Sequence, residues 1–250
     1  MLTPHQISDF RQHGFLILPR LISSDYCNQV LDFAQKQLVL PVLPVEFEAD
    51  TGYPGAPAAL SELGGNTVRR LLQVSLRDKL IRDGATGPSL AVPLQQLLGG
   101  AVLLSQVHHN CIMTKQPRFS SVTGWHRDSR YWNFQRPELI SAWLALRGEN
   151  VENGCLLVIP GSHRVLVDSE GVDADQFLRA DYAGNQALLS QSVAVPLNAG
   201  DVLLFSSNLF HAAGRNQTDQ TKFSLVFTYR AADNPPVAGS RSASLPELAI

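Results

Sequence analysis

From residue 101 onward the chain is broken into short β-prone runs. "AVLLSQVHHNCIMTK", "ELISAWLALR", "GCLLVIP", "SVAVPL", "DVLLFS" and "KFSLVFTYR" are separated by turn chemistry such as "ENG" (152–154) and "NAG" (198–200). Runs of that length bounded by turn residues read as strands. Many short strands that follow a helical start point to a β-sandwich or jelly roll flanked by helices. A single domain over 1–250 is expected. It has a helical part over about 1–98, a β core over about 99–232 and a tail from 233 that is extended or poorly ordered.

The first segment has helix grammar. Thr3 can cap, Pro4 suits the first helical position, Gln6 completes a capping box, and Gly14 suits the stop. "FLILP" (15–19) has strand length. Ser23 or Ser24 can cap a second helix with Val30, Leu31, Ala34 and Leu38 on one face. Residues 41–65 are rich in proline and glycine and read as a long surface loop over a site. One or two helices are expected over 66–98, interrupted by "GATGP". Residues 168–190 read as an excursion of loop and helix between strands.

Composition narrows the function. Apolar residues make up 44% and charged residues 17%, enough for a core, and the net charge is −2. That balance argues against a nucleic-acid binder held by general electrostatics. Cys27, Cys111 and Cys155 form no CxxC pair and no disulfide framework, which suits a reducing, cytoplasmic setting. No signal pattern opens the chain, and no apolar run is long enough for a transmembrane segment. The sequence leaves the oligomeric state open.

"GWHRDSRYW" (124–132) puts His126 and Asp128 two residues apart. On a strand, both would project to one face and could reach one ion. A second imidazole would complete a two-histidine, one-carboxylate set, which leaves open positions on iron. His5 and His13 fall on the first helix and read as solvated. His163, after a turn, reads as holding that turn. His108 and His109 are adjacent, so at most one should face any site. His211, in "NLFHAAGRN" after the strand "DVLLF", remains.

Four segments then bring a resemblance. "FRQHGFLILPRLIS" (10–23), "GWHRDSRYW", "ENGCLLVIPGSHR" (152–164) and "NAGDVLLFSSNLFHAAGRNQT" (198–218) resemble the phytanoyl-CoA dioxygenase family, in that family's order. The resemblance implies a double-stranded β-helix, or cupin-like jelly-roll, core. It also implies iron(II) and O2 chemistry with 2-oxoglutarate as co-substrate and succinate and CO2 as products. His126, Asp128 and His211 would bind the iron. The family usually places an arginine for the distal carboxylate of 2-oxoglutarate eleven residues after the last histidine. This chain has Lys222 there, with Ser224 on the same strand face and Arg215 and Arg230 as rival cations. A lysine keeps the charge but loses the two-pronged fork. Trp143 and residues of "HNCIMTK" (109–115), Cys111 among them, would line the co-substrate pocket. The retained Asp128 favours hydroxylation over halogenation, in which relatives lack the carboxylate.

Lys115, Arg118, Arg127 and Arg130 surround the iron motif, where Asp128 is the one acid. A local positive field favours a small anionic substrate, with Arg130 and Arg127 as the substrate-binding candidates. An amino or hydroxy acid, an acidic sugar such as 3-deoxy-octulosonic acid, or an acyl derivative would qualify. A reading from another class is a jelly-roll metal-binding protein without oxygenase turnover. Lys222, in place of arginine, is the feature that admits it.

Overall fold

The computed structural model describes all 250 residues. Helix α1 (Pro4–His13) starts on the expected capping box: Gln6 N donates to Thr3 Oγ1, and Thr3 N donates to Gln6 Oε1. It stops at Gly14, whose φ of 82° suits a residue without a Cβ. Strand β1 (Phe15–Leu18) and helix α2 (Ser24–Val39) follow, the latter capped by Ser23 and burying Val30, Leu31 and Ala34.

The next stretch departs from expectation. Residues 41–65 contain a short strand, β2 (Val45–Phe47), and one 3-10 turn (Glu48–Asp50). Residues 66–98 open with strand β3 (Val68–Leu72) before three helices, α3 (Val74–Arg77), α4 (Lys79–Thr86) and α5 (Pro88–Leu98). The adjacent arginines Arg69 and Arg70 hide that strand in the sequence. They lie buried in it because Glu48 and Glu46 of the preceding segment meet them. The "GATGP" break falls between α4 and α5, where Gly87 caps and Pro88 starts the next helix.

The β region holds β4 (Val102–Lys115), β5 (Thr123–His126), β6 (Leu139–Ala145), β7 (Leu156–Val158), α6 (Gln186–Leu189), β8 (Val193–Val195), β9 (Val202–Ser206), β10 (His211–Ala213), β11 (Lys222–Ala231) and β12 (Leu248–Ala249). They form two antiparallel sheets. The larger runs β1-β9-β6-β11-β4-β3-β2 with β12 added against β4, and the smaller runs β5-β10-β7-β8. This is the mainly-β, jelly-roll architecture that the strand pattern predicted.

The larger sheet is covered on both faces, which is why its strands read as continuous apolar runs. One face packs on the helices through Leu104, Ile112, Leu225, Phe227 and Tyr229 against Val30, Ile81 and Leu94. Tyr229 also donates to the Ala85 carbonyl at 2.7 Å. The other face, with Cys111, Trp143, Phe205 and Val226, meets Leu156, Val158 and Ala213 of the smaller sheet. The functional cavity opens between the sheets. Beyond β11 the tail is tied down rather than loose. Leu248 pairs with Leu104, Asn133 N donates to Ser242 Oγ, and Arg230 Nε donates to Glu247 Oε1 at 2.8 Å.

Candidate active site

His126 ends β5 and His211 opens β10, and the two are direct cross-strand partners. The antiparallel pairing thus joins two histidines that are far apart in the chain. Their ring centroids lie 4.3 Å apart. The Nδ1 atoms lie 2.9 Å from the Gly124 carbonyl for His126 and 3.0 Å from the Leu209 carbonyl for His211. Those carbonyls select the tautomer with a proton on Nδ1, so each Nε2 lone pair is left free. Burial, reinforced by His211, holds the pKa of His126 well below the ordinary histidine value, which keeps the ring neutral as a metal ligand needs.

Asp128 joins them by a different route from the one expected. The strand stops at His126, and Asp128 starts a 3-10 turn running to Tyr131. Its Oδ1 still sits 3.7 Å from His126 Nε2 and 3.5 Å from His211 Nε2. Ser141 Oγ donates to its Oδ2 at 3.0 Å. Oδ1 is buried with no hydrogen-bond partner at all. One ligand atom from each of the three residues lies within 4.8 Å of the others.

The same cavity is lined by Arg69, Arg70, Lys115, Trp143 and Lys222. Lys222 Nζ is held by Glu149 Oε2 at 2.9 Å and by Ser224 Oγ at 3.1 Å. Ser224 Oγ and Trp143 Nε1 donate to the other oxygen of Glu149 at 2.6 and 3.0 Å. The expected co-substrate residues Lys222, Ser224 and Trp143 therefore do meet, but around a carboxylate of the protein's own. The rival cations do not approach: Arg215 is exposed, and Arg230 is engaged by Glu247. Cys111 is fully buried among apolar side chains, and burial pushes its thiol up to about 12.

A second, outer pocket shares Arg70 with this cavity and carries Tyr53, His108, Arg130, Tyr131, Phe177 and Arg241 together with the acids Glu46, Asp50 and Asp175. Arg130 lies in the 3-10 turn with its guanidinium 4.1 Å from the Phe177 ring centre and 5.0 Å from that of Tyr131. Its Nη1 has no partner. Arg127 turns away and donates from Nη2 to the carbonyls of Ser162 and Val165 at 2.7 and 2.6 Å. Tyr53 comes from the 41–65 loop, and Phe177, 5.5 Å from the His126 ring, comes from the 168–190 excursion. Both loops thus border the site.

Of the two adjacent histidines of β4, only His109 lines the triad cavity, as expected, but His108 stays beside it, with ring centroids 4.4 Å apart. His109 faces the triad, its Nδ1 3.4 Å from Asp128 Oδ2, while His108 stacks on Tyr131 in the outer pocket. Strict alternation would have sent one of them away. It fails because β11 pairs Phe227 with Asn110 and then Thr228 with Ser105, which leaves Gln106–His109 as a bulge.

Residues 10–224 match the phytanoyl-CoA dioxygenase (PhyH) family, most of the chain including all three triad residues. The chain belongs to that family. An ectoine dioxygenase of Halomonas elongata is 25% identical over 96% of this chain and 74% of its own length. A probable phytanoyl-CoA dioxygenase of Caenorhabditis elegans is 23% identical over 88% of this chain and 72% of its own. Among solved structures, EctD from S. alaskensis with 2-oxoglutarate and 5-hydroxyectoine superposes with a TM-score of 0.77 at 23% identity, covering 94% of this chain and 78% of that one. The epimerase SnoN with Fe3+, alpha ketoglutarate and nogalamycin RO gives 0.76 at 22%, covering 97% and 89%.

Phytanoyl-CoA dioxygenase family enzymes are iron- and 2-oxoglutarate-dependent oxygenases, and the donor set here suits iron. A buried carboxylate oxygen without a partner is costly unless a cation completes it. Two neutral imidazoles and one carboxylate leave coordination positions for a keto acid and O2. Sequence reasoning missed Arg69, Arg70 and Glu149. Arginines in an unrecognised strand and an acid in an isolated β-bridge with Leu197 have no periodicity that would single them out. No helix is long and apolar enough to cross a membrane.

Proposed function

We propose that the chain is an iron(II)- and 2-oxoglutarate-dependent hydroxylase of a small anionic molecule, with His126, Asp128 and His211 as the metal ligands. The observation that carries this reading is Asp128 Oδ1, buried and unpartnered between two free Nε2 atoms. When bound, iron with 2-oxoglutarate and O2 supplies the oxidising power to replace a C–H bond by C–OH, with succinate and CO2 released.

The residues of the chain would orient and shield. The Gly124 and Leu209 carbonyls hold the imidazoles, and Ser141 holds the carboxylate. Phe177 and Tyr131 wall the triad on the side where the outer pocket begins, so a substrate there excludes water from the reacting carbon. Arg130 has a free Nη1 at this wall and no carboxylate partner, which favours a carboxylate, phosphate or acidic sugar. Amino acids, hydroxy acids and 3-deoxy-octulosonic acid are the substrate classes to screen, with acyl derivatives after them. Three buried, free cysteines suit a cytoplasmic enzyme.

The test is succinate formation from 2-oxoglutarate by the iron(II)-loaded protein, combined with a screen of acids for a mass gain of one oxygen. A metal-loaded protein that turns over no 2-oxoglutarate with any acid would leave only a metal-binding jelly roll.

A further inference from the structure

Four cationic side chains line the cavity beside the triad, and three already have carboxylate partners. Arg69 Nη1 lies 3.7 Å from Glu48 Oε1, Arg70 Nη1 2.5 Å from Glu46 Oε1, and Lys222 Nζ 2.9 Å from Glu149 Oε2. Lys115 differs. It is 3% exposed, and its ammonium makes one hydrogen bond, to the Ser121 carbonyl at 2.9 Å. It lies directly opposite Lys222 in the register of β4 and β11, so both side chains leave the same face of the sheet into one cavity.

Resting on the oxygenase reading above, we propose that Lys115, not Lys222, supplies the positive charge for the distal carboxylate of 2-oxoglutarate. Charge balance is the first argument. Three of the four cations are matched by Glu46, Glu48 and Glu149, which leaves Lys115 as the one without a carboxylate partner. At the triad, a divalent iron would meet the single carboxylate of Asp128. A divalent metal at one end and a lysine without a counter-ion at the other suit a dianion with one charge at each end, as 2-oxoglutarate is.

Hydrogen-bond capacity is the second argument. An ammonium has three donors, and buried Lys115 uses one, so two remain for an incoming oxygen pair. Lys222 has Glu149 and Ser224, and its charge is already compensated. The Lys115 pKa points the same way. Burial, then Arg69 and Lys222, drive it well below the ordinary lysine value, with Glu48 pulling the other way. An anion bound there relieves that strain on the charged form.

The departure from the family's usual arginine then has a physical account. An arginine at 222 would carry the anchoring charge alone. In this chain the Lys222–Glu149 pair fills that place, and the anchor moves across to the neighbouring strand.

Calorimetry on the iron(II)-loaded protein without O2 tests this, with 2-oxoglutarate and pyruvate as the two titrants. Pyruvate has the same chelating head but no distal carboxylate. The quantity read is the ratio of the two affinities, which a general disturbance of the cavity does not move. Lys115→Met is expected to weaken 2-oxoglutarate by about tenfold or more, as one lost charge-assisted contact implies, with pyruvate unchanged. Lys115→Arg should recover part of the difference. Lys115→Gln, read the same way, covers the case in which the methionine variant folds poorly. An unchanged ratio in Lys115→Met and Lys115→Gln, with a loss in Lys222→Met, overturns the assignment. A wild-type protein that binds neither keto acid overturns instead the oxygenase reading beneath it.

Discussion

The two ends of the cavity are built to opposite rules. At the triad, Asp128 Oδ1 has no partner and two Nε2 atoms point at the same space. At the other end, the Glu149 carboxylate takes donors from Lys222, Ser224 and Trp143 and both its oxygens are satisfied, while Lys115 beside them keeps donors free. Both ends are buried and both contain charged groups. The difference is whether the protein satisfies its own polar atoms. Where it does, the group holds the fold; where it does not, the group awaits a ligand.

The sharpest way to break this comparison is at the triad. His126→Ala should abolish iron binding and reduce succinate release to background while the melting temperature stays near that of the wild-type apo protein. Metal analysis and a thermal melt read both. Retained iron at full stoichiometry would contradict the assignment.

The complementary change is Glu149→Gln, which leaves Lys222 buried without its counter-charge. Removing one partner of a buried pair costs about 3–5 kcal/mol, a fall in melting temperature on the order of 10 °C for a chain of this size. Iron affinity should hardly move. A melt within experimental error of the wild type would show that Lys222 is compensated elsewhere.

Smaller effects refine the picture. Ser141→Ala removes the hydroxyl that orients Asp128. Losing such an outer partner typically weakens metal binding by roughly 10–100-fold, readable by competition with a chelator. Arg130→Ala should raise the prime-substrate Michaelis constant about tenfold, near 1.4 kcal/mol. Uncoupled 2-oxoglutarate decay should survive. An unchanged constant would assign Arg130 to packing between Phe177 and Tyr131.

The parts legible in the sequence were those with local grammar. Thr3, Gln6 and Gly14 mark one helix through contacts inside the helix and its caps, and the interrupted apolar runs mark the strands. His126, Asp128 and His211 stood out through segments that resemble a family. What stayed hidden depends on long-range pairing. Glu46, Glu48 and Glu149 neutralise Arg70, Arg69 and Lys222 across 24, 21 and 73 positions of chain, which no spacing rule connects. The basic cluster around the iron motif shows the same limit. Arg118 is exposed, Arg127 binds carbonyls, Arg130 meets the outer pocket, and Lys115 enters the inner cavity.

The bulge at Gln106–His109 bears on how such an enzyme can change. β11 pairs with β4 on either side of it, so the sheet holds its alignment without counting those residues. Yet they carry two rings into the reaction chamber, His109 toward the triad and His108 against Tyr131. A segment outside the ladder register can exchange the side chains of His108 and His109 without displacing the triad histidines on β5 and β10. Selectivity for new molecules could be remodelled there by small genetic steps while the oxidising centre is inherited intact.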